Sequence, residues 1–135
     1  MWSISATTSR SKEVNMKIAI SVQGNDGSRM VDPRFGRANG FVVVDLDSGQ
    51  ETLHDNAQNL QATQGAGIQA AQNVARLGVD AVLTGHVGPK AFVTLQTAEI
   101  DVYTGVQGTV EEAVASFQAG LLKAAVGADV EGHWT

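Results

Sequence analysis

Short apolar runs alternate with amphipathic stretches through the second half of this chain, and this alternation limits the chain to an α/β fold. Residues 81–83 form a short apolar run and 100–103 form a second predicted strand, and each precedes a stretch that is predicted to be helical. A helix that connects two strands of one sheet normally makes those strands parallel. We therefore predict parallel strands in this half of the chain.

The first half of the chain predicts antiparallel pairing instead. An apolar run at 41–44 and an extended segment at 52–54 flank Asp47-Ser48-Gly49, which is typical of a hairpin turn. A further strand is predicted at 17–22, where apolar residues alternate. The predicted helices cover 66–77, begin again at Pro89, and cover 110–123. The resulting order, β-β-β-α-β-α-β-α, describes a mixed five-stranded sheet.

Local signals mark the helix ends. Pro89 suits the first turn of a helix, and Gly78 suits the position just after a helix end. Thr109 and Glu112, three positions apart, form the capping-box pattern that opens a helix. The apolar spacing predicts that the last helix ends near Lys123.

Composition excludes several classes of protein. The 135 residues include no cysteine, which excludes disulfides, zinc fingers and thiolate-ligated iron-sulfur clusters. Nine Lys and Arg against 14 Asp and Glu give a net charge of -5, which disfavours binding to nucleic acid or to anionic membranes. No run of about 18 apolar residues occurs in the sequence. We expect a soluble, cytoplasmic protein that binds neither nucleic acid nor membrane.

Residues 16–123 are predicted to form one domain between two tails. Residues 1–15 are polar and rich in Ser and Thr, so we expect a disordered tail or an untranslated leader, with translation starting at Met16. The second interpretation rests on Lys12-Glu13-Val14, which a ribosome-binding sequence could encode. Residues 124–135 are predicted to be a loose C-terminal tail.

The placement of positive charge points to an anionic ligand. Ligands of α/β sheets bind at the carboxyl ends of parallel strands, which here lead into loops 23–38, 84–89 and 104–109. Three arginines, Arg29, Arg34 and Arg37, lie in the first of these loops, and Lys90 follows the second. Guanidinium groups beside glycine-rich loops and helix starts suit a compact anion. Alternatively, the arginines pair with Asp26 and Asp32 on a solvated loop.

Two motifs for other functions fail in their context. Residues 65–70 match the G-x-G-x-x-A pattern, but no strand precedes them and no acidic residue follows about twenty positions later, so we reject a dinucleotide site. Asp45, Asp47 and Asp80 could suggest a two-metal nuclease, but Asp47 suits the turn and Asp80 suits a strand start. We therefore expect no enzyme activity, and we predict no catalytic residue and no metal ligand.

A family resemblance covers Met16 to about Leu122. The matching stretches are Lys17-Ile18-Ala19-Ile20, Arg34-Phe35-Gly36-Arg37-Ala38, Gly78-Val79-Asp80-Ala81-Val82, Gly85-His86-Val87-Gly88-Pro89 and Gly108-Thr109-Val110-Glu111-Glu112-Ala113. In order and spacing they resemble the dinitrogenase iron-molybdenum cofactor-binding family, which includes NifX, NafY and the C-terminal part of NifB. The resemblance implies a ribonuclease H-like three-layer fold and a domain that binds a metal-sulfur cluster or its precursor.

One departure from the family pattern bears on how a cluster is held. The family commonly has histidine before Phe-Gly, whereas this chain has Arg34. Without that histidine, and without cysteine, a cluster would bring its own sulfides and be held by charge, hydrogen bonds and shape. This looks like the member of the family that binds a molybdenum-copper sulfide cluster without covalent attachment. The expected cofactor is therefore a molybdenum-copper sulfide or iron-molybdenum-type cluster, held non-covalently.

On this interpretation the cations supply charge, Phe35 supplies a hydrophobic wall and glycine N–H groups donate to sulfide. The predicted cofactor-binding residues are Arg29, Arg34, Phe35, Gly36, Arg37, Gly85, His86, Gly88, Lys90, Gly105 and Gly108. The resemblance also implies other cluster-assembly proteins as partners. Two alternatives stay open: an enzyme for a small phosphorylated or carboxylated substrate, and a regulatory or interaction module on the same scaffold.

Overall fold

The computed structural model describes residues 16–24, 29–56 and 66–125. Within these residues the strands are β1 (Lys17–Val22), β2 (Gly40–Asp45), β3 (Glu51–Asp55), β4 (Ala81–Leu83) and β5 (Asp101–Tyr103). The helices are α1 (Ala66–Arg76), α2 (Pro89–Thr97) and α3 (Val110–Gln118). The predicted order of elements, with its hairpin and its strand–helix alternation, is confirmed.

The five strands form one mixed sheet in the order β3-β2-β1-β4-β5. Strand β2 is antiparallel to both β1 and β3, whereas β4 and β5 run parallel to β1. In the centre of the sheet, Ile20 lies between Val42 of β2 and Leu83 of β4. The carboxyl ends of the three parallel strands therefore lie at one edge, as the sequence predicts.

Helices cover both faces of the sheet, which gives three layers. On one face, Ala19, Val82 and Val102 pack with buried residues of α1 and α2. On the other face, Ile18 and Leu83 belong to a second cluster that includes buried residues of α3. Because helices cover β1 on both sides, residues 18–22 are all buried, so the alternation seen in the sequence does not leave one face of this strand exposed to solvent. This is the ribonuclease H-like architecture that the resemblance implies.

The predicted helix starts are confirmed. Pro89 occupies the first turn of α2, after Gly88 at the N-cap. Helix α3 begins with a complete capping box: the Thr109 hydroxyl accepts the Glu112 N–H at 3.1 Å, and the Glu112 carboxylate accepts the Thr109 N–H at 2.9 Å. Both patterns act within a single turn, which is why they can be recognised in the sequence.

The predicted end of the last helix near Lys123 is wrong, because α3 ends at Gln118. Gly120 adopts a φ of 75°, its N–H donates to the Phe117 carbonyl, and the Leu121 N–H donates to the Ser116 carbonyl. This pair of bonds is the Schellman motif, which ends helices at a glycine.

Beyond α3 the chain returns to the sheet. Ala124 pairs with Tyr103 of β5, and the Ala125 N–H donates to the Val102 carbonyl at 2.7 Å. Residues 124 and 125 thus lie against the outer edge of β5. The tail predicted at 1–15 and residues 126–135 of the tail predicted at 124–135 lie outside the described residues. In the part of the chain that the structure describes, none of the helices has the length and apolar character needed to cross a membrane.

Candidate functional site

Main-chain hydrogen bonds join the three loops at the carboxyl edge of the sheet. The first loop meets the third where the Val31 N–H donates to the Gly108 carbonyl at 2.8 Å. The first loop meets the second where the His86 N–H donates to the Pro33 carbonyl at 2.7 Å. The Gly105 N–H then donates to the Gly85 carbonyl at 2.8 Å, which joins the second loop to the third. The edge is therefore a continuous surface built from three distant parts of the sequence.

Gly85 allows the first two loops to approach closely. A Cβ at this position would lie 2.6 Å from the Pro33 Cα and 2.8 Å from the Pro33 carbonyl oxygen. Real Cβ atoms do not come this close to backbone, so only glycine fits here. Gly85 is predicted to bind a ligand, but its packing against Pro33 is by itself a reason for glycine here.

A buried polar network supports the same two loops from below. The Ser21 hydroxyl lies 2.8 Å from the Thr84 hydroxyl and 2.7 Å from the Asp32 carbonyl oxygen. Ser21 and Thr84 are fully buried, and Asp32 is only 2% exposed. None of the sequence predictions includes this network, although the sequence contains one signal for it: polar residues close to the ends of two neighbouring parallel strands.

Arg34 is the most exposed of the arginines that have a described ion pair. Its backbone N–H donates to the Asp32 Oδ1 at 2.9 Å, and its Nε lies 3.4 Å from the same oxygen. Its side chain is nevertheless 66% exposed. Arg34 also forms an isolated parallel bridge with His86, which is exposed in the second loop. The alternative that the arginines pair with Asp26 and Asp32 thus holds for Arg34 and Asp32, but that carboxylate is buried rather than solvated, and Asp26 lies outside the described residues.

Gly36 and Arg37 continue the same loop. Arg37 is exposed, Gly36 is half-buried, and the next residue, Ala38, is fully buried. The Asn56 side chain donates to the Ala38 carbonyl at 2.8 Å, from a position after β3 that is itself 2% exposed. This bond holds the end of the loop against the sheet, so Arg37 projects from a segment that is fixed on both sides.

Arg29 lies at the other end of the loop, near the start of α3. Its guanidinium forms an ion pair with Glu51 at 2.8 Å and a second ion pair with Glu111. The hydrogen bond to Glu51, followed by that to Glu111, raises the pKa of Arg29 above its ordinary value. Two carboxylates therefore already neutralise this cation, whereas Arg34 pairs with one.

Phe35 lies inside the core. It is 2% exposed, and its ring centroid is 5.3 Å from that of Phe41. It belongs to the cluster that α1 and α2 cover. The side chain therefore anchors the loop between the two flanking arginines, whereas the predicted contact with a ligand would require it at the surface.

Two of the predicted glycines have structural explanations in the third loop. The Gly105 N–H is already used in the bond to Gly85, so it is not available to sulfide in this arrangement. Gly108 has a φ of 92°, and a Cβ there would collide with the Glu112 carboxylate of the capping box. Both residues shape the loop before α3.

The start of α2 remains accessible. Its N-cap, Gly88, provides no side-chain cap, and its first turn contains no acidic residue. His86, Pro89 and Lys90 are exposed, and Gly88 is half-buried. The positive end of the helix dipole and Lys90, in the first turn of α2, therefore lie close in the chain to His86, which pairs through its backbone with Arg34. We call Arg34, Arg37, His86, Gly88 and Lys90 the cationic rim.

The chemistry of the cationic rim suits an anion rather than a bare metal ion. Among residues 16–24, 29–56 and 66–125, no three His, Asp or Glu side chains come together in a group that could hold a metal. The whole sequence has no cysteine. Arg and Lys donate hydrogen bonds and provide charge, but they do not ligate metal ions under ordinary conditions.

Comparison with known proteins supports a common origin. Residues 16–120 match the protein family described as dinitrogenase iron-molybdenum cofactor. An uncharacterized protein of Methanocaldococcus jannaschii is 30% identical over 112 residues, which are 80% of this chain and 90% of that protein.

Two solved structures are similar in sequence and in fold. The apo form of the orange protein from Desulfovibrio gigas is 44% identical, with a TM-score of 0.82 over 86% of this chain and 98% of the other. A protein from Thermotoga described as a NifB protein is 35% identical, with a TM-score of 0.70 over 81% of this chain and 92% of the other. The chain therefore belongs to the dinitrogenase iron-molybdenum cofactor family.

Proposed function

We propose that this chain binds an anionic metal-sulfide cluster at the cationic rim, without a covalent bond, and acts as a carrier, store or assembly protein for it. The observation that carries the proposal is the exposed Arg34, held by the buried Asp32 and bridged through its backbone to His86 at the open start of α2. Binding rather than catalysis is the function that these residues serve.

The charge distribution supports an anionic cargo. The chain carries a net charge of -5, so its surface as a whole repels anions. Arg34, Arg37 and Lys90 are nonetheless exposed around one group of loops. A cluster of cations on an acidic protein attracts a compact anion locally, and guanidinium groups add hydrogen bonds of defined direction.

The donor set supports a cargo that brings its own sulfur. A metal-sulfide cluster presents sulfide at its surface, which accepts hydrogen bonds from arginine, histidine and backbone N–H groups. The rim supplies such donors, and the described residues supply no group of metal-ligating side chains. Non-covalent capture therefore fits the residues present better than ligation of the metal.

The comparisons favour molybdenum as a component of the cargo. The family is described by the iron-molybdenum cofactor of dinitrogenase, and one similar structure is an apo form, a term used for a protein without its ligand. We propose a molybdenum-copper sulfide or iron-molybdenum-type cluster, with other cluster-assembly proteins as donors or acceptors of it.

Tetrathiomolybdate, a small thiometallate dianion, provides a direct test. We expect the purified full-length chain to bind it under anaerobic conditions, with or without Cu(I), so that visible charge-transfer bands stay with the protein after the free ligand is removed. The double substitution Arg34→Ala with Arg37→Ala should abolish these bands, and added salt should weaken uptake in the wild type. Arg29→Ala is the matched control from the same loop, and its effect should be within about twofold because its charge is already paired.

Unchanged uptake in the double variant would overturn the rim as the site. Failure of the wild type to bind any thiometallate, together with absence of molybdenum and sulfide from protein purified anaerobically from its natural source, would overturn the function itself.

A further inference from the structure

We infer that Asp32 is a positioning residue that orients Arg34 for the anion. The inference rests on the proposed function and adds one residue to the proposed site. This residue is a carboxylate, whose own charge would repel the anion. Asp32 is 2% exposed, which is unusual for a carboxylate, and the proposed binding of the cargo does not by itself require it.

The carboxylate contacts Arg34 at two points through a single oxygen. Asp32 Oδ1 accepts the Arg34 backbone N–H at 2.9 Å and lies 3.4 Å from the Arg34 Nε. The first contact holds the backbone of residue 34, and the second restrains its side chain. Together they restrict the direction in which the guanidinium leaves the loop.

The backbone of Asp32 is held by the sheet and not by the loop alone. The Asp32 N–H donates to the Ser21 carbonyl at 2.8 Å, and the Asp32 carbonyl accepts the Ser21 hydroxyl at 2.7 Å. Ser21 is the next-to-last residue of β1, and its hydroxyl lies 2.8 Å from that of Thr84, just after β4. Two central parallel strands therefore fix Asp32, and sites supported by strands are held more rigidly than sites on loops alone.

Contact through Nε leaves the two terminal amino groups of Arg34 as donors for a ligand. The Arg34 side chain is 66% exposed although its Nε faces a carboxylate that is 3% exposed. An arginine restrained in this way presents a planar pair of donors at the surface, and it loses less conformational entropy when an anion binds. Lysine has no Nε–H of this kind, so it could keep the charge but not the orientation.

Charge and orientation predict opposite results for Asp32→Asn. This substitution removes a negative charge next to the rim, so charge alone predicts tighter binding of an anion. Orientation predicts weaker binding, because an amide oxygen holds the guanidinium much less firmly than a carboxylate does. Asparagine keeps the size of the side chain and can still accept the Arg34 backbone N–H.

The first measurement is a titration of full-length protein with tetrathiomolybdate. We expect Asp32→Asn to weaken binding about fivefold in the wild-type background. In the Arg34→Lys background, which keeps the charge but removes the Nε–H, the same substitution should no longer weaken binding. Equal or tighter binding by Asp32→Asn in the wild-type background would refute the positioning role.

The second measurement needs no ligand. The Nε–H resonance of Arg34, observed by NMR with ¹⁵N-labelled protein, should exchange slowly with water in the wild type and rapidly in Asp32→Asn. A rapidly exchanging wild-type resonance would also refute the inference. If Asp32→Asn does not fold, Arg34→Lys provides the same test of orientation: it should bind tetrathiomolybdate about fivefold more weakly, and unchanged binding would contradict us.

The two claims can fail separately. If the wild type does not bind tetrathiomolybdate or any other thiometallate, the proposed function fails, and the role of Asp32 in binding fails with it. If the wild type binds but Asp32→Asn binds as well or better, only the positioning role fails.

Discussion

Helices α2 and α3 begin at the same edge of the sheet, but their first turns differ in charge. Helix α3 begins with the Thr109–Glu112 capping box and has Glu111 in the same turn. Helix α2 begins at Gly88 with no side-chain cap and no acidic residue, and it has Lys90 in its first turn. The positive end of α3 is therefore neutralised by its own carboxylates, whereas the first turn of α2 has no carboxylate that does this.

The two ends of the first loop repeat this contrast. Near α3, Arg29 pairs with the exposed Glu111 and the partly exposed Glu51. Near α2, Arg34 pairs with a buried carboxylate and stays largely exposed. Residue type and sequence proximity do not distinguish these arginines. They differ in their partners: Arg29 pairs with two carboxylates at the surface, whereas Arg34 pairs with one that is buried.

The largest effect is expected where the second loop meets the first loop. Gly85→Ala should lower the free energy of unfolding by about 3 kcal/mol, because the new Cβ would collide with the Pro33 backbone. Urea denaturation measures the loss. Gly88→Ala is the matched control in the same loop: its Cβ would meet nothing within 4 Å, so we expect a loss below about 1 kcal/mol. Equal losses would mean that the two loops do not approach as described.

A charge change should make the start of α2 resemble that of α3. Lys90→Glu places a carboxylate in the first turn of α2, and we expect it to weaken tetrathiomolybdate binding about tenfold. Titration at low ionic strength would measure this change. Arg76→Glu makes the same change of charge in the last turn of α1 and should alter binding by less than about twofold. If both substitutions weaken binding equally, net charge rather than the cationic rim controls it.

A smaller effect is expected from removing the cap of α3. Thr109→Ala should lower the free energy of unfolding by about 1 kcal/mol, because the Glu112 N–H loses its acceptor. Thermal and urea denaturation can both detect a change of this size. Thr97→Ala, at an exposed position late in α2, is the control and should change stability by less than about 0.5 kcal/mol. A loss as large in the control would show that the cap contributes nothing specific.

The smallest effect concerns the pH dependence of the α3 start. The hydrogen bond from its own backbone N–H, followed by that from Arg29, lowers the pKa of Glu111. Because this pKa is lower in the folded state, the ionised carboxylate favours folding above its ordinary pKa, and the benefit disappears as pH falls through the lowered value.

An NMR titration of the Glu111 carboxyl group tests this effect. In Arg29→Ala the pKa of Glu111 should rise part of the way towards its ordinary value, since the backbone hydrogen bond remains. Arg76→Ala should leave the titration of Glu111 as it is in the wild type. No change in Arg29→Ala would show that the ion pair with Arg29 is not maintained in solution.

The order of strands and helices could be predicted from the sequence because its signals are short-range. Pro89 and the Thr109–Glu112 pair mark helix starts within one turn, and the hairpin turn lies between two extended runs. The end of α3 could not be read from apolar spacing, because Leu121 and Leu122 continue the pattern after Gly120 has turned the chain away. A local glycine signal was present there, but the apolar residues beyond it masked its effect.

The candidate site was only partly predictable. Loop positions follow from the order of parallel strands, so the sequence correctly places the three loops at one edge. The burial of Phe35 and the pairing of Arg29 were not predictable, because each depends on residues far away in the chain. The binding roles of the individual rim residues remain predictions for the experiments above.

The sequence by itself determined the class of fold, the helix starts and the lack of cysteine ligands, since each depends on composition or on neighbours within a few residues. Only the tertiary structure decided that Arg29 is neutralised by two carboxylates and that Arg34 pairs with a buried one. The physical reason is that the strength of a charge at the surface depends on what packs around it. For Arg34 that environment comes from Asp32 in its own loop and from the ends of two strands that meet only when the sheet has formed.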